Sequence, residues 1–315
     1  KLLHVVDISE NYLVEMVRNL RSSLGYIEGD FKTFALDCGS NEFQMLMKEY
    51  NEYDYILNLS ALKHVRSEED PFTLMRMIDV NILNTIRTIE TAKKIGVKKY
   101  FCVSSDKAAG PVNMMGASKR IMEMFLYKFS KSVPVSTARF ANVAFSDGSL
   151  LHSFKRRLEK NQPLAAPLDT LRYFLTSEES GELCLMACIL GNNRDNFFPS
   201  SKKELKLISF PKIAQNFLKM HGYEAFLCAT EKEARDSVLE LKSNRKWPCY
   251  FFESNTTGEK ETEEFYTLDE NIDWGRFNDI GVIKNDIGNN SEELDFFLQK
   301  IYQLRNASRW DKKDL

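Results

Sequence analysis

The sequence predicts an α/β fold, in which a doubly wound parallel sheet carries helices on both faces and is followed by a smaller lobe. Short apolar runs alternate with segments of helical periodicity over the first two thirds of the chain. After Arg139 this alternation fades and the polar loops become longer, which predicts that a second lobe starts near Ala144.

The predicted elements follow from the spacing of apolar residues and from the residues that stop each run. Strands are expected over residues 2–6, 34–36, 53–59, 99–104 and 135–140, and helices over residues 11–23, 72–95, 112–130, 178–190 and 211–221. The charge-rich stretch from 230 to 264 is predicted to be surface helix and loop.

Composition excludes several classes of function. The formal net charge of -2 offers no basic surface to nucleic acid or anionic lipid. No apolar run approaches the roughly 20 residues that span a bilayer. Cys184 and Cys188 share a helix face, but no histidine or further cysteine lies at ligand spacing, so they predict core packing and no metal site. Scattered cysteines favour a reducing, cytoplasmic location.

One feature of a dinucleotide-binding fold is absent from the sequence. Such a fold opens with a strand and a Gly-rich turn that seats a pyrophosphate at a helix N-terminus. Gly25 and Gly29 lie too late in the chain for that turn. The chain is therefore expected to begin at the second strand, with a βα unit of roughly 25 to 40 residues upstream. Weak NAD binding by these residues alone is expected.

Two acidic residues end predicted strands and are candidate cofactor ligands. Asp7 is placed to accept hydrogen bonds from the adenosine ribose hydroxyls, and its charge favours NAD over NADP. Asp37, after the next strand, is a candidate for the adenine amino group. A helix cap without any ligand is the alternative explanation for Asp7.

The most specific pattern lies at residues 104–120, Ser-Ser-Asp-Lys-Ala-Ala-Gly-Pro-Val-Asn-Met-Met-Gly-Ala-Ser-Lys-Arg. It closely resembles the Ser-Thr-Asp-Lys-Ala-x-x-Pro-x-Asn-x-Met-Gly-Ala-Ser-Lys-Arg block of UDP-N-acetylglucosamine 4,6-dehydratases of polysaccharide and nonulosonic acid biosynthesis. These enzymes belong to the extended short-chain dehydrogenase/reductase superfamily, so the resemblance implies a Rossmann-like domain and NAD as cofactor.

The resemblance implies roles for four residues of this block. A 4,6-dehydratase moves a hydride from sugar C4 to NAD, eliminates water across C5 and C6, and returns the hydride to C6. Asp106 would be the acid for the C6 hydroxyl and Lys107 the base at C5, since neighbouring opposite charges tune each other's pKa. Ser105 would hydrogen-bond the C4 oxygen, and Lys119 would bind the nicotinamide ribose.

Met115 departs from the pattern of most of the superfamily. A tyrosine normally stands there, four residues before the lysine, and deprotonates the substrate hydroxyl. A thioether cannot accept that proton usefully, which alone predicts an inactive oxidoreductase. One branch of the dehydratases nevertheless carries methionine and is active. A water, Ser105 or Asp106 must then relay the C4 proton.

Residues 58–65, Asn-Leu-Ser-Ala-Leu-Lys-His-Val, resemble the Ala-Ala-x-Lys-His-Val loop of the same family. Ser60 stands in place of its first alanine, and Ser60, Ala61 and Lys63 are implied cofactor contacts. His64 is a candidate base on chemical grounds, but a loop-ordering or substrate-binding role is preferred. Asn81 and the following Asn-Thr pair resemble the family's Asn-x-x-Gly-Thr helix, with Asn84 in place of glycine.

Four later positions are substrate contacts that the resemblance implies. Residues 139–143, Arg-Phe-Ala-Asn-Val, resemble the family's Arg-Phe-Gly-Asn-Val, which implies that Asn142 touches the sugar diphosphate. Residues 147–149, Asp-Gly-Ser, resemble its Arg-Gly-Ser turn, so Ser149 would open a helix whose N-terminus suits phosphate. Residues 172–176, Arg-Tyr-Phe-Leu-Thr, resemble its Arg-Tyr-Phe-Met-Thr, and Arg172 suits a bidentate diphosphate contact. Glu259 belongs to Gly-Glu-Lys-x-x-Glu-Glu, residues 258–264, a stretch that closes over the nucleotide in the family.

The predicted function is that of a nucleotide-sugar 4,6-dehydratase. The alternatives are a nucleotide-sugar 4-epimerase and a catalytically inactive nucleotide-sugar-binding homologue. Residues 1–143 are assigned to the NAD-binding domain and 144–315 mostly to a substrate-binding lobe with a C-terminal extension. The long helices over 72–95 and 112–130 are of the kind that pairs subunits in this superfamily, so a homo-oligomer is expected. The resemblance ends near residue 265.

Overall fold

The computed structural model describes residues 2–200, 207–253, 263–288, 290–307 and 309–315. Its strands are β1 (Leu2–Asp7), β2 (Asp30–Ala35), β3 (Tyr55–Asn58), β4 (Lys99–Val103), β5 (Val135–Ala138), β6 (Asn142–Val143), β7 (Leu164–Pro167), β8 (Leu171–Arg172), β9 (Phe174–Leu175), β10 (Asp195–Pro199), β11 (Ile208–Ser209), β12 (Glu224–Leu227), β13 (Lys246–Phe252), β14 (Asn271–Asp273) and β15 (Ile280–Lys284). Its helices are α1 (Glu10–Leu24), α2 (Asn41–Glu49), α3 (Pro71–Ile78), α4 (Asn84–Ile95), α5 (Met114–Phe129), α6 (Leu150–Glu159), α7 (Ser177–Leu190), α8 (Phe210–Met220), α9 (Glu231–Asp236), α10 (Val238–Ser243) and α11 (Ser291–Asn306).

The main sheet has six strands in the order β14-β15-β10-β5-β4-β3. Strands β3, β4, β5 and β10 are parallel, whereas β15 and β14 each run antiparallel to the preceding neighbour. The predicted α/β class is therefore confirmed, with an antiparallel edge added by the C-terminal part of the chain. Strands from both predicted domains share this sheet, and the functional division at residue 143 stays a prediction.

Strand β4 is buried on both faces, as expected of a central parallel strand. Tyr100 and Cys102 pack against the face covered by α4 and α5. Phe101 points to the opposite face, where it joins the cluster formed with α7. This alternation follows from the two-residue period of a strand, and the carboxyl end of β4 lies between those of its parallel neighbours β3 and β5.

The sheet is interrupted between β1 and β3. Strands β1 and β2 form a separate parallel pair, and within the described ranges no strand pairs with the second edge of β1 or of β3. His4 Nδ1 lies 2.7 Å from Tyr53 Oη and bridges the two units. In the doubly wound order 3-2-1-4-5-6, the interruption falls where the first strand of that order lies.

The helix predicted over residues 72–95 is divided into three parts. A π-helical turn at Asp79–Leu83 separates α3 from α4. Asn81 lies in this turn and is fully buried. Its side chain forms hydrogen bonds with the loop after β3 and with α5. Widened turns of this kind are typical of functional regions.

The smaller lobe is built on the parallel sheet β12-β13-β7, with α6, α8 and α10 packed around Trp247. The prediction of surface helix and loop over residues 230–264 is correct for α9 and α10 but wrong for β13. This strand pairs on both sides, and its Trp247 and Cys249 are fully buried. Its apolar run is short and follows many charged residues, so the sequence pattern of this stretch does not indicate a strand.

The C-terminal tail, unassigned from the sequence, completes the packing of the main domain. Helix α11 covers a face shared by α3, the π-turn, α4 and α5, with Phe297 packed against Phe125. Arg305 of α11 also pairs with Asp79 at 2.6 Å. Across the part of the chain that is described, no helix combines the length and apolarity needed to cross a membrane.

Candidate active site

The turn that follows β4 holds an acid and a base in direct contact. Lys107 Nζ lies 3.3 Å from Asp106 Oδ1 and 3.2 Å from Asp106 Oδ2. Ser105 Oγ donates to Asp106 Oδ1 at 3.0 Å and accepts from Lys107 N at 3.0 Å. Asp106 is only 6% exposed, so the ion pair lies in a partly desolvated position where its electrostatic interaction is stronger than in water.

The start of α5 lies directly against this turn. Asn113 caps the helix by accepting from Gly116 N at 2.8 Å. A β-carbon at Gly116 would lie 2.3 Å from the backbone oxygen of Lys107. Glycine is therefore required here because any side chain would push α5 away from the turn after β4.

We expect Gly116→Ala to destabilise the fold by about 1–3 kcal/mol, the usual cost of overpacking, and to lower turnover by displacing Lys107. Gly181→Ala is the matched control, because Gly181 lies in α7 with no atom within 4 Å of the added carbon. This control should stabilise the helix by about 0.5–1 kcal/mol. Urea unfolding of both variants measures the difference, and a Gly116→Ala protein as stable as the wild type would contradict the packing.

Glu68 is a site residue that the sequence did not suggest. Its Oε2 accepts from the backbone nitrogens of Met114 at 2.7 Å and Met115 at 3.3 Å. A carboxylate at a helix N-terminus satisfies free N–H groups and interacts favourably with the helix dipole. Because 46 residues separate Glu68 from Met114, no local pattern indicates this contact.

Met115 and Lys119 lie on the buried face of α5, each 2% exposed. Lys119 Nζ donates to the backbone oxygen of Val103, at the end of β4, at 3.0 Å. Burial lowers the pKa of Lys119 from its ordinary value. The ammonium is thus held at the end of β4, next to the turn that carries Asp106 and Lys107. Its contact with the nicotinamide ribose stays a prediction.

Asn81 connects the loop after β3 to α5. Its Oδ1 accepts from Leu62 N at 2.9 Å, and its Nδ2 donates to Leu62 O at 3.0 Å and to Ser118 Oγ at 2.9 Å. The fully buried amide therefore fixes the 58–65 loop relative to the helix that carries Met115.

The predicted cofactor residues lie at or just after the carboxyl ends of β1, β2 and β3. Asp7 accepts a hydrogen bond from Ser9 N at 2.7 Å, and this bond forms the turn that precedes α1. Asp37 accepts from Gly39 N at 2.8 Å and pairs with Arg76 at 3.1 Å. The Gly39 N–H is the main cause that holds the pKa of Asp37 below its ordinary value, and Arg76 adds to it against the effect of burial. Ser60 Oγ accepts from Cys38 Sγ at 3.6 Å, while Ala61 is half-buried in the same loop.

Asn84, which replaces a glycine of the resembling motif, has a compensating partner. A β-carbon at Gly39 would lie 2.2 Å from Asn84 Oδ1. The space that glycine leaves open at position 39 is therefore filled by the side chain of Asn84. Asn84 Nδ2 also lies 3.5 Å from Asp37 Oδ1.

A second group of predicted residues lies where the 58–65 loop meets the start of α6. Lys63 Nζ donates to Ser146 Oγ at 3.3 Å, and burial lowers the pKa of Lys63. A β-carbon at Gly148 would lie 3.0 Å from His64 Nε2, so the imidazole packs on this turn. Ser149 caps α6, since its Oγ accepts from His152 N at 3.2 Å.

Asp147 changes the charge at that helix start. The resembling family has an arginine at this position, whereas Asp147 here pairs with His152 at 3.0 Å and accepts from the Tyr12 hydroxyl. A carboxylate at this place opposes the binding of a phosphate there. Ser149 as a phosphate contact stays a prediction that this charge weakens.

Glu263 joins Asn142 to the backbone of Tyr173, the residue that follows Arg172. Asn142 Nδ2 donates to Glu263 Oε1, and Tyr173 N donates to Glu263 Oε2 at 2.8 Å. Arg172 is 6% exposed in β8. Burial and the nearby Asp106 raise the pKa of Glu263 to about 7, against the opposing effects of Tyr173 N, Lys107 and Arg172. The predicted contact Glu259 lies outside the described residues.

Metal chemistry receives no support from the side chains. Within the described ranges no group of three or more His, Cys, Asp or Glu residues is arranged to hold a metal ion. All six cysteines are free. Cys184 and Cys188 lie on the face of α7 that packs against the main sheet, so the prediction that they pack in the core is confirmed.

Several solved structures share this fold. Pen from Bacillus thuringiensis superposes with a TM-score of 0.71 at 20% identity, covering 95% of this chain and 89% of that chain. DesIV of Streptomyces venezuelae, a dTDP-glucose 4,6-dehydratase solved with NAD, gives 0.61 at 13% identity over 85% of this chain and 79% of that chain. UDP-glucuronic acid 4-epimerase of Bacillus cereus, also solved with NAD, gives 0.61 at 16% identity over 84% and 81%.

Sequence relatives extend the comparison. The capsular polysaccharide biosynthesis protein CapD of Staphylococcus aureus is 28% identical over 83% of this chain and 41% of its own length. The probable polysaccharide biosynthesis protein EpsC of Bacillus subtilis is 32% identical over 56% of this chain and 29% of its own length. The chain thus spans less than half the length of either relative. Residues 1–284 match the model of the family described as polysaccharide biosynthesis protein, and the chain belongs to that family.

Proposed function

We propose that the chain is a nucleotide-sugar 4,6-dehydratase that converts UDP-N-acetylglucosamine to a 4-keto-6-deoxy sugar and uses NAD. The observation that carries the proposal is the buried contact of Asp106 with Lys107 at 3.2 Å, at the carboxyl end of a central strand. Elimination of water needs both an acid and a base within one substrate's reach. Membership of a polysaccharide biosynthesis family and the shared fold of NAD-bound nucleotide-sugar enzymes support the same assignment.

The contact between the two side chains explains how both become active. Lys107 can act as a base only as the neutral amine, and Asp106 can act as an acid only when protonated. We assign the proton of Asp106 to the C4 hydroxyl, which releases it through Ser105, and the loss of the carboxylate charge lets the Lys107 ammonium release its own proton to solvent. Lys107 then takes the proton from C5, the C5–C6 double bond forms, the C6–O bond breaks, and Asp106 protonates the departing hydroxyl to water.

The C4 hydroxyl needs a different proton acceptor from the usual tyrosine. Met115 lies at that position, almost fully buried. Ser105 donates to Asp106 at 3.0 Å, so a C4 proton passed to Ser105 has a carboxylate to receive the one that Ser105 releases. This contact favours Ser105 and Asp106 among the predicted relays.

Residues at one sheet edge fit the adenosine part of NAD. Asp7 and Asp37 follow the paired strands β1 and β2, and Ser60 contacts the loop of Asp37 through Cys38. We assign the ribose hydroxyls to Asp7 and the adenine to the side of Asp37, with Ser60, Ala61 and Lys63 lining the loop. When bound, NAD supplies the acceptor that takes the C4 hydride and returns it to C6.

The decisive experiment is product analysis by mass spectrometry and NMR after incubation with UDP-N-acetylglucosamine and NAD. A dehydratase yields a product lighter by one water, with a 4-keto group and a C6 methyl group, and NMR also gives the C5 configuration. A product of unchanged mass with an inverted C4 would instead identify a 4-epimerase, and unchanged substrate would indicate a binding homologue.

A further inference from the structure

Glu263 is an acid of the site that the proposed chemistry does not use. Its two carboxyl oxygens accept hydrogen bonds from Asn142 Nδ2 and from the backbone nitrogen of Tyr173. One side chain therefore holds the amide of β6 and the residue that follows Arg172. Asn142 is one of the two residues assigned to the substrate diphosphate, and Tyr173 directly follows the other, so Glu263 holds the first side chain and the backbone next to the second.

The charged groups that face Glu263 come from two elements. Asp106 and Lys107 extend from the turn after β4, and Arg172 extends from β8. Burial and Asp106 raise the pKa of Glu263 to about 7, while Tyr173 N, Lys107 and Arg172 act in the opposite direction. Near neutral pH, the acid is therefore divided between its neutral and ionised forms.

The two forms differ in what they offer a diphosphate. An ionised Glu263 repels the phosphates and competes with them for Arg172, whose guanidinium is suited to bind either anion. A neutral Glu263 can still accept from Asn142 and Tyr173, and its hydroxyl proton becomes a donor toward a phosphate oxygen. The neutral form therefore orients the diphosphate ligands without adding a like charge.

We propose that Glu263 is a positioning residue for the substrate diphosphate and that the substrate binds the form in which this residue is neutral. The role rests on the proposed function, because it takes a nucleotide-linked sugar as the ligand. It predicts a proton-linked affinity: binding favours uptake of one proton by Glu263, so the affinity falls as the pH rises through the pKa of this acid.

The test is titration calorimetry of the chain with UDP-N-acetylglucosamine, whose diphosphate diester has no group that titrates near neutrality. The wild-type dissociation constant is expected to rise about thirtyfold between about pH 6 and about pH 8.5. Glu263→Gln should bind with a nearly constant affinity over this range, close to that of the wild type at the acidic end. Glu240→Gln removes an exposed carboxylate of α10 in the smaller lobe and should keep the wild-type slope.

A second variant tests the same role without altering Glu263. Asp106→Asn removes the negative charge that raises the pKa of Glu263, so the loss of affinity should occur at a lower pH. Parallel slopes for the wild type and Glu263→Gln, or an unmoved transition in Asp106→Asn, would overturn the role of Glu263 and leave the dehydratase untouched. If none of the proteins binds UDP-N-acetylglucosamine at any pH, the proposed function fails and this role fails with it.

Discussion

Lys107→Ala is expected to lower the turnover number for dehydration by roughly 10²–10⁴-fold, the usual contribution of a positioned acid or base. The substitution removes the proposed C5 base and also takes away the ammonium that contacts Asp106 at 3.2 Å. Binding of UDP-N-acetylglucosamine should remain measurable, because the residues proposed to contact the diphosphate, Asn142 and Arg172, lie in β6 and β8. Turnover and calorimetric affinity, measured together, separate the two effects.

Lys98→Ala is the matched control for this prediction. Lys98 also forms a lysine–aspartate pair, with Asp54 at 2.8 Å, but both side chains are more than half exposed. Its removal should leave turnover within about twofold, as exposed pairs contribute little. A Lys107→Ala protein that forms the 4-keto-6-deoxy product at near wild-type rate would refute the base assignment.

Arg139→Met is expected to destabilise the fold by about 3–5 kcal/mol, because it leaves buried carboxylates without their partner. The Arg139 side chain is fully buried and donates to Glu123 Oε1 at 2.9 Å and Oε2 at 2.7 Å. It also donates to both oxygens of Glu270 and to the backbone oxygen of Phe265 at 2.9 Å. Urea unfolding at neutral pH measures the loss.

The same network predicts a dependence of stability on pH. Burial alone would raise the pKa of Glu123, but Arg139, Arg120 and the Ser104 hydroxyl together lower it from 4.5 to about 2. The folded-state pKa is therefore below the unfolded one, so this stabilisation is complete above pH 4.5 and is lost as the pH falls toward 2. A shift of this size corresponds to roughly 3 kcal/mol.

Arg235→Ala is the control for Arg139→Met. It breaks an exposed pair with Glu231 on the surface of α9 and should cost less than about 0.5 kcal/mol. Arg139→Met should also weaken the acid dependence of unfolding, because Glu123 loses its strongest partner. A loss no larger than that of Arg235→Ala would contradict the structural role of the network.

The turn after β4 that carries the proposed catalytic residues could be placed from sequence because its parts are contiguous. Ser105, Asp106 and Lys107 are neighbours in the chain, and Lys119 follows Met115 by one helical turn. The strand before them is an apolar run that the two-residue period makes recognisable. Sequence therefore gives the strand, the turn and the helix that the active site needs.

The contacts that orient these residues could not be predicted in this way. Glu263 meets Asn142 across 121 residues, and Arg139 meets Glu270 across 131. Neither contact has a local signature, since acidic residues in charged stretches are usually solvated. Strand β13 was missed for a related reason: the charges of α9 and α10 dominate the window in which its buried Trp247 and Cys249 occur.

Helix α11 has a consequence for how copies of this chain meet. Its Leu294, Phe297 and Ile301 pack on part of the face that α3, the π-turn, α4 and α5 share. A second copy that met this chain through α4 and α5 would therefore use the part of their surface that α11 leaves uncovered, or would displace α11. The homo-oligomer stays a prediction, and α11 sets the area available to it on this face.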